Sequence, residues 1–302
     1  MIPRRAPSSG NPELGGPSRR PAVAGTFYPA DPGRLGALVS DLAAEAELSG
    51  REHPDPSRVL GLMVPHAGLV YSGMIASLSW SLAGKARPDT IVIAGTDHQA
   101  SAAGIGVWGG GSWSSPLGDV AVDDELARAI ADLGEPFARD DEAHKGEHSI
   151  EVQLPLISRL CSGTRIVPLA VSPRLRSHAH AGELLGRLLA SRRASGEKIV
   201  LVASSDMAHY PRARVCEATD AELLEPLLEL DADTLYELEG SVLAENRPGL
   251  VCGLCGIDPV RVSLSALREM GASQGILLGA ATSADAGGDP GRTVGYAAVA
   301  FV

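Results

Sequence analysis

Aromatic residues are scarce in this sequence: 3 Phe, 3 Trp and 5 Tyr make up 4% of 302 residues. So few flat side chains leave little on which bases could stack, which argues against a single-stranded nucleic-acid binder. Apolar residues still total 44%, enough for a sizeable core, but one built mainly from Val, Leu, Ala and Ile. Positive charge is also short, with 26 Lys and Arg against 37 Asp and Glu, a net charge of −11. Such a chain repels phosphate backbones and anionic headgroups, so neither nucleic acid nor a membrane surface is expected as a partner. The one basic cluster, Arg4, Arg5, Arg19 and Arg20, is spread over a Pro/Gly/Ser-rich segment and reads as a solvated arm. The four cysteines, Cys161, Cys216, Cys252 and Cys255, do not make a disulfide framework in a chain this long. No signal-peptide core, glycosylation sequon or bilayer-length apolar run is present, so the expected compartment is the cytoplasm.

Several familiar motifs are missing or fail on context. Gly84-Lys85 lacks the upstream glycine and the following Ser/Thr of a phosphate-binding loop. Gly104, Gly106 and Gly109 match a dinucleotide-binding spacing, but more glycine and a turn follow, not a helix whose N-terminus could hold a pyrophosphate. No nucleotide cofactor is expected. Cys252-Gly253-Leu254-Cys255 has no second pair to complete a structural zinc site, although a dithiol role stays open because Cys255 lies just before a helix start. Ser204, Asp206 and His209 hold the residue types of a hydrolase triad, but they are too close in sequence for triad geometry and lack the nucleophile elbow.

What is present is alternation. Residues 1–18 are rich in breakers and are expected to be disordered; 19–302 read as one domain. Apolar, β-branched runs at 58–64, 90–94, 105–108, 165–171, 198–203, 275–281 and 293–301 are strand candidates. Amphipathic runs at 74–83, 124–133, 150–160, 179–193, 216–228, 234–245 and 259–270 are helix candidates. Near-continuous apolar strands suit a sheet covered on both faces. The expected fold is therefore a three-layer α/β domain with a central, mostly parallel or mixed sheet. Asp258-Pro259 reads as a helix start, Gly271 as that helix's stop, and residues 115–119 as a turn between short strands.

His66, His98 and His209 each follow one of the apolar strands, and Cys255 precedes a helix. Loops beyond the carboxyl ends of strands form the binding crevice of open α/β sheets. Convergence there would join imidazole and thiolate donors, a set suited to iron(II), copper or zinc. A lone strand-end histidine is more often a hydrogen-bonded loop residue, and spacing alone does not decide between the two.

Six motifs occur in register: Arg20-Pro21-Ala22-Val23-Ala24-Gly25-Thr26-Phe27-Tyr28, His66-Ala67-Gly68-x-x-Tyr71, Gly95-x-x-His98, Glu147-His148-Ser149-Ile150-Glu151, Ser204-Ser205-Asp206-x-x-His209 and Cys255-Gly256-x-x-Pro259. Together they resemble the Memo family, which includes the AmmeMemoRadiSam system protein B, over roughly residues 19–302. The resemblance implies a fold similar to class III (LigB-type) extradiol dioxygenases. It places a mononuclear iron or copper site on His66, His98 and Cys255, with zinc less suited. His209, Asp206, Tyr71, Glu147 and His148 match further site positions, and His148 is equally open to a structural and a chemical role. The remaining histidines, His53, His144, His178 and His180, match no motif and are expected at the surface. Two departures stand out. Asp97 precedes His98 and is a candidate to fix a ligand tautomer, and Cys252 is an extra thiol near Cys255.

The functional expectation is a redox-active metalloprotein, with oxygen-dependent chemistry on a small-molecule or peptide ligand as its enzymatic form. There His209 would move a proton and Asp206 would orient it, while Tyr71 would hydrogen-bond the ligand. A thiolate in place of the usual carboxylate separates this donor set from non-haem dioxygenases, so fold likeness does not carry that activity over. The alternative is a non-catalytic adaptor using the same cleft, working with the radical-SAM and AMMECR-type protein partners that the resemblance implies. A third reading is a thiol oxidoreductase built on Cys252 and Cys255.

Overall fold

The computed structural model describes residues 18–50 and 53–302; the tail expected at 1–18 lies outside them apart from Ser18. Its centre is an eight-stranded sheet. Four strands run parallel side by side: β2 (Gly61–Val64), β9 (Ile199–Ser204), β3 (Thr90–Thr96) and β8 (Arg165–Val171). All are apolar and almost wholly buried, as strands covered on both faces must be. On one side β11 (Gly295–Phe301) and β10 (Gly275–Thr282) add antiparallel. On the other, β4 (Ile105–Val107) is antiparallel to β8, and the edge strand β7 (Phe137–Arg139) is parallel to β4. The sheet is mixed, within the range the sequence allowed.

Helices cover both faces. α1 (Pro32–Leu48), α2 (Leu69–Ala86) and α4 (Leu154–Leu160) contact one another on one side, α2 reaching β2, β10 and β11. α5 (His178–Ala194) and α8 (Ile257–Glu269) pack together on the other, over β9, β3 and β8. Gly182 and Gly186 make that approach close: a Cβ on either would stand 2.5 Å or less from an α8 atom. α3 (Asp124–Ala131) lies against β7 and β8, α6 (Ala213–Leu228) against β10 and β11, and α7 (Ala232–Ala244) bridges α6 and α8.

Some boundaries differ from the sequence reading for identifiable reasons. α1 was not anticipated, yet Asp31 caps it and Pro32 occupies its first position. α2 starts five residues before the expected 74, because it is apolar on most faces and has no amphipathic stripe to mark its first turn. α8 begins behind Gly256, so Asp258 sits inside the first turn and, instead of capping, pairs with His178 at 2.6 Å. Gly271, at φ +94°, does close that helix. Gly118, at φ +120°, turns β5 (Ser112–Ser115) into β6 (Gly118–Ala121) as expected, and the glycine-rich stretch before them is strand β4 followed by a loop, not a helix.

A second, three-stranded sheet ties the N-terminal segment down. β1 (Ser18–Arg19) pairs with β5 in parallel. Arg19 is not a solvated arm residue but 3% exposed. Its guanidinium lies 4.2 Å from the Trp113 ring centre and donates to Glu151 (2.6 Å) and to the carbonyls of His144 (2.7 Å) and Glu147 (2.6 Å). Glu151 also accepts from the amides of Ala22 (2.7 Å) and Val23 (2.9 Å) and from the Tyr28 hydroxyl (2.6 Å). One buried carboxylate thus anchors both ends of the 20–28 motif. Removing it strands a buried cation and three donors, so Glu151→Ala should cost about 3–5 kcal/mol. Urea unfolding should show this as a lower midpoint with an unchanged slope.

Candidate metal centre

Three parallel strands end side by side, and their loops supply the site. β2 leads into Pro65-His66, β3 into Asp97-His98, and β9 into Ser205-Asp206 and on to His209. Cys255 comes in from the other direction, one residue before the Gly256 cap of α8. Donor atoms of His66, His98 and Cys255 all lie within 4.8 Å of one another, and His66 Nε2 is 2.9 Å from Cys255 Sγ.

Both imidazoles are held in one tautomer. His66 is 2% exposed, and its Nδ1 is 3.1 Å from the Ser204 hydroxyl oxygen. That hydroxyl gives its proton to the Ser149 carbonyl (2.6 Å) and accepts from Gln153 Nε2 (3.0 Å). It has only acceptor capacity left, so His66 must donate from Nδ1 and presents a bare Nε2 lone pair to Cys255. The Gln153 amide is fixed in turn, because its oxygen takes the Trp80 indole proton (2.8 Å) and its nitrogen also serves the Pro65 carbonyl (3.0 Å). His98 Nδ1 lies 2.9 Å from Glu147 Oε1, a carboxylate that can only accept, so Nδ1 carries a proton and the neutral form of the ring offers Nε2. Burial would raise the Glu147 carboxyl, but the His98 hydrogen bond and charge and the Ser149 amide outweigh it and hold the pKa down at about 2.

His148 belongs to the same cluster. Its ring stacks on His98 (centres 4.5 Å apart, 22° between planes), meets His66 edge-on at 5.5 Å and touches Phe27 at 4.6 Å. Phe27 is delivered by the segment that Glu151 anchors, and its carbonyl accepts the amide of Leu69 (2.9 Å) at the start of α2. The rings of His66 and His148 are kept neutral by burial, His66 with its pKa lowered to about 4. Burial, with the Asp206 charge next, pushes the Cys255 thiol well above its ordinary value. A metal-free Cys255 is therefore a thiol, and cation uptake there must expel its proton.

Asp206 Oδ1 accepts the amides of His66 (2.7 Å) and Ala67 (3.1 Å), so this carboxylate shapes the His66 turn. His209 Nε2 is 3.7 Å from Asp206 Oδ2 and has no hydrogen-bond partner although its surroundings bury it. Tyr71 sits in the first turn of α2 and is 46% exposed. Asp97 does not fix a ligand tautomer: its carboxylate accepts from Ser101 (3.1 Å) and the Ala102 amide (2.7 Å), and Glu147 holds His98 instead. Cys252 is a free thiol whose pKa burial raises to about 12, and Cys255 is free too.

Two of the four histidines expected at the surface are buried. His144 is 0% exposed, packed edge-on between Trp108 and Trp113, with Nε2 on the Gly106 carbonyl at 2.9 Å. His178 on α5 meets two residues of α8, Asp258 at Nε2 (2.6 Å) and Arg261 at Nδ1 (3.1 Å). His53 and His180 are exposed as expected. The sequence reading missed Gln153 and Trp80; the signal was a lone amide inside the apolar run Ile150, Val152, Leu154.

Residues 19–300 match the family model described as "Memo-like protein". A "MEMO1 family protein" of Ignicoccus hospitalis is 37% identical over 290 residues, covering 94% of this chain and 98% of its own. One from Methanothermobacter thermautotrophicus is 35% identical over 283 residues, covering 92% and 98%. One from Desulfurococcus amylolyticus is 33% identical over 290 residues, covering 94% and 98%.

In metal-free protein, ring-nitrogen NMR should find His66 neutral down to about pH 4, with Nδ1 carrying the proton. An unfolded histidine binds its proton near pH 6.5, so the unfolded state takes up more protons between those values. The stability contributed by neutral His66 is full above about pH 6.5 and is lost as pH falls toward 4. Ser204→Ala should leave the fold intact and mix the two tautomers.

Proposed function

The chain belongs to the Memo family, and from that premise we propose that it is a redox-active metalloprotein holding one iron or copper ion on His66, His98 and Cys255. The observation that carries this is the convergence of the His66 and His98 rings and the Cys255 thiol, with donor atoms within 4.8 Å of one another and each imidazole oriented by a hydrogen bond. The donor set fits a soft or borderline ion: imidazole suits iron, copper and zinc, and thiolate adds preference for copper(I) and lowers the fitness of hard ions such as magnesium. When bound, iron or copper would supply one-electron redox chemistry and, with open positions, oxygen-dependent oxidation of a ligand.

The chain's own residues have separable tasks in this reading. Glu147 orients His98 and balances charge; Ser204 and Gln153 orient His66. His209, beside Asp206, accepts or returns a proton at Nε2, the nitrogen that has no other partner. Tyr71 offers a hydroxyl to a small-molecule or peptide ligand. Relatedness in fold to class III extradiol dioxygenases is part of the proposal, without their activity.

A second reading, a non-catalytic adaptor working with radical-SAM and AMMECR-type partners, is favoured by one feature. Val70 (61%), Tyr71 (46%), Tyr210 (37%) and Val251 (64%) are exposed on the same segments that carry site residues. Such a rim would suit an apolar peptide segment.

Elemental analysis of protein prepared without oxygen separates the readings. Wild type and His209→Ala should hold about one iron or copper per chain, with turnover lost in the variant. His66→Ala and Cys255→Ser should lose the ion, and Glu147→Gln should bind it about 10–100-fold more weakly. Metal-free wild type under reducing, metal-replete conditions would overturn the metalloprotein reading in favour of the adaptor.

A further inference from the structure

His209 Nε2 and Asp206 Oδ2 face each other at ion-pair range but without a direct hydrogen bond. Their 3.7 Å separation is too long for a hydrogen bond, and solvent does not satisfy the ring nitrogen, which is buried and without a partner. Leaving such an atom unmet costs free energy. The spacing is close to a different arrangement: two ligands bonded at about 2.1 Å to a tetrahedral ion stand about 3.4 Å apart. A third donor is at hand, since Cys255 Sγ, a carboxylate oxygen of Asp206 and a ring nitrogen of His209 all lie within 4.8 Å of one another. The other Asp206 oxygen is already committed to the amides of His66 and Ala67, so Oδ2 is held toward His209.

The backbone gives these three side chains a shared frame. The Cys255 amide donates to the Asp206 carbonyl (3.3 Å) and the His209 amide to the Cys252 carbonyl (3.0 Å). The amides of Gly253 (3.1 Å) and Leu254 (3.0 Å) both donate to the buried Glu239 carboxylate, which clamps the turn that delivers Cys255. Loops cross-linked in this way do not need to rearrange in order to bring oxygen, nitrogen and sulfur donors together.

We propose that Asp206, His209 and Cys255 form a second, weaker position for a borderline divalent cation of the zinc class, sharing the Cys255 sulfur with the ion on His66 and His98. The inference rests on the proposed three-ligand site, because Cys255 is common to both. The second position is the weaker one because its sulfur already shares charge with the first ion and because two cations on one sulfur repel. Filling it occupies His209 Nε2, so excess zinc would take away the proton acceptor while leaving the first ion in place: an inhibitory site.

The test is an anaerobic titration of the reduced, metal-free full chain with cadmium(II) alone, a spectroscopically readable stand-in for zinc. It would be followed by calorimetry and cadmium NMR, with bound ions counted by native mass spectrometry. The expected result is two binding steps per chain, the second at least tenfold weaker. His209→Ala and His209→Gln should each remove only the weaker step, and retention of the stronger one shows that the variant is folded. A single step that neither variant changes overturns the second position and leaves the three-ligand site standing. A single step that both variants weaken assigns His209 to the first ion and likewise overturns it. No binding at all overturns the three-ligand site itself.

Discussion

The Trp80 indole can donate a hydrogen bond and cannot accept one, and the orientation of the site follows from that constraint. Its proton fixes the Gln153 amide; the amide nitrogen then occupies one lone pair of Ser204, whose own proton goes to Ser149. With its donor and one acceptor position used, Ser204 can only receive the Nδ1 proton of His66. Reversing any member of this chain would bury two donors or two acceptors against each other, at a cost of a few kcal/mol in a dry interior. The result is an imidazole whose free lone pair is aimed at Cys255 before any cation arrives. Preorganisation of this kind is what the proposed ligand set requires.

Charge completes the picture. Glu147 is ionised and Asp206 is held below the usual carboxylate range; both lie against rings that burial keeps neutral. Burial makes the Cys255 thiol hard to ionise in the metal-free state. The pocket therefore sets two carboxylates beside a thiol that only a cation would deprotonate. The N-terminal strap contributes from a distance: Arg19 holds the Glu147 carbonyl and Glu151, and Phe27 on the same strap seats His148.

The fold was readable where chemistry is local. The β-branched apolar runs at 90–94, 165–171 and 198–203 became β3, β8 and β9 with small changes of boundary, and the strand-end positions of His66, His98 and His209 followed from them. Legibility failed where partners are far apart in sequence. His144 looked like a loop histidine but is enclosed by Trp108, Trp113 and the Gly106 carbonyl. Arg19 looked like part of a solvated arm, and its partner Glu151 is 132 positions away. Asp97 was a reasonable candidate to orient His98 by proximity, and Glu147, 49 positions on, does so instead. Helix α1 was missed because its capping residues announce it only once the chain before it is known to be extended.

The central claim, a two-histidine, one-thiolate ion site, is tested most directly by adding one equivalent of cobalt(II) to reduced, metal-free protein and recording its absorption spectrum. The account predicts an intense near-ultraviolet thiolate-to-cobalt charge-transfer band in wild type that disappears in Cys255→Ser, which no longer holds the ion. The same charge-transfer band in Cys255→Ser, or its absence from wild type, would contradict it.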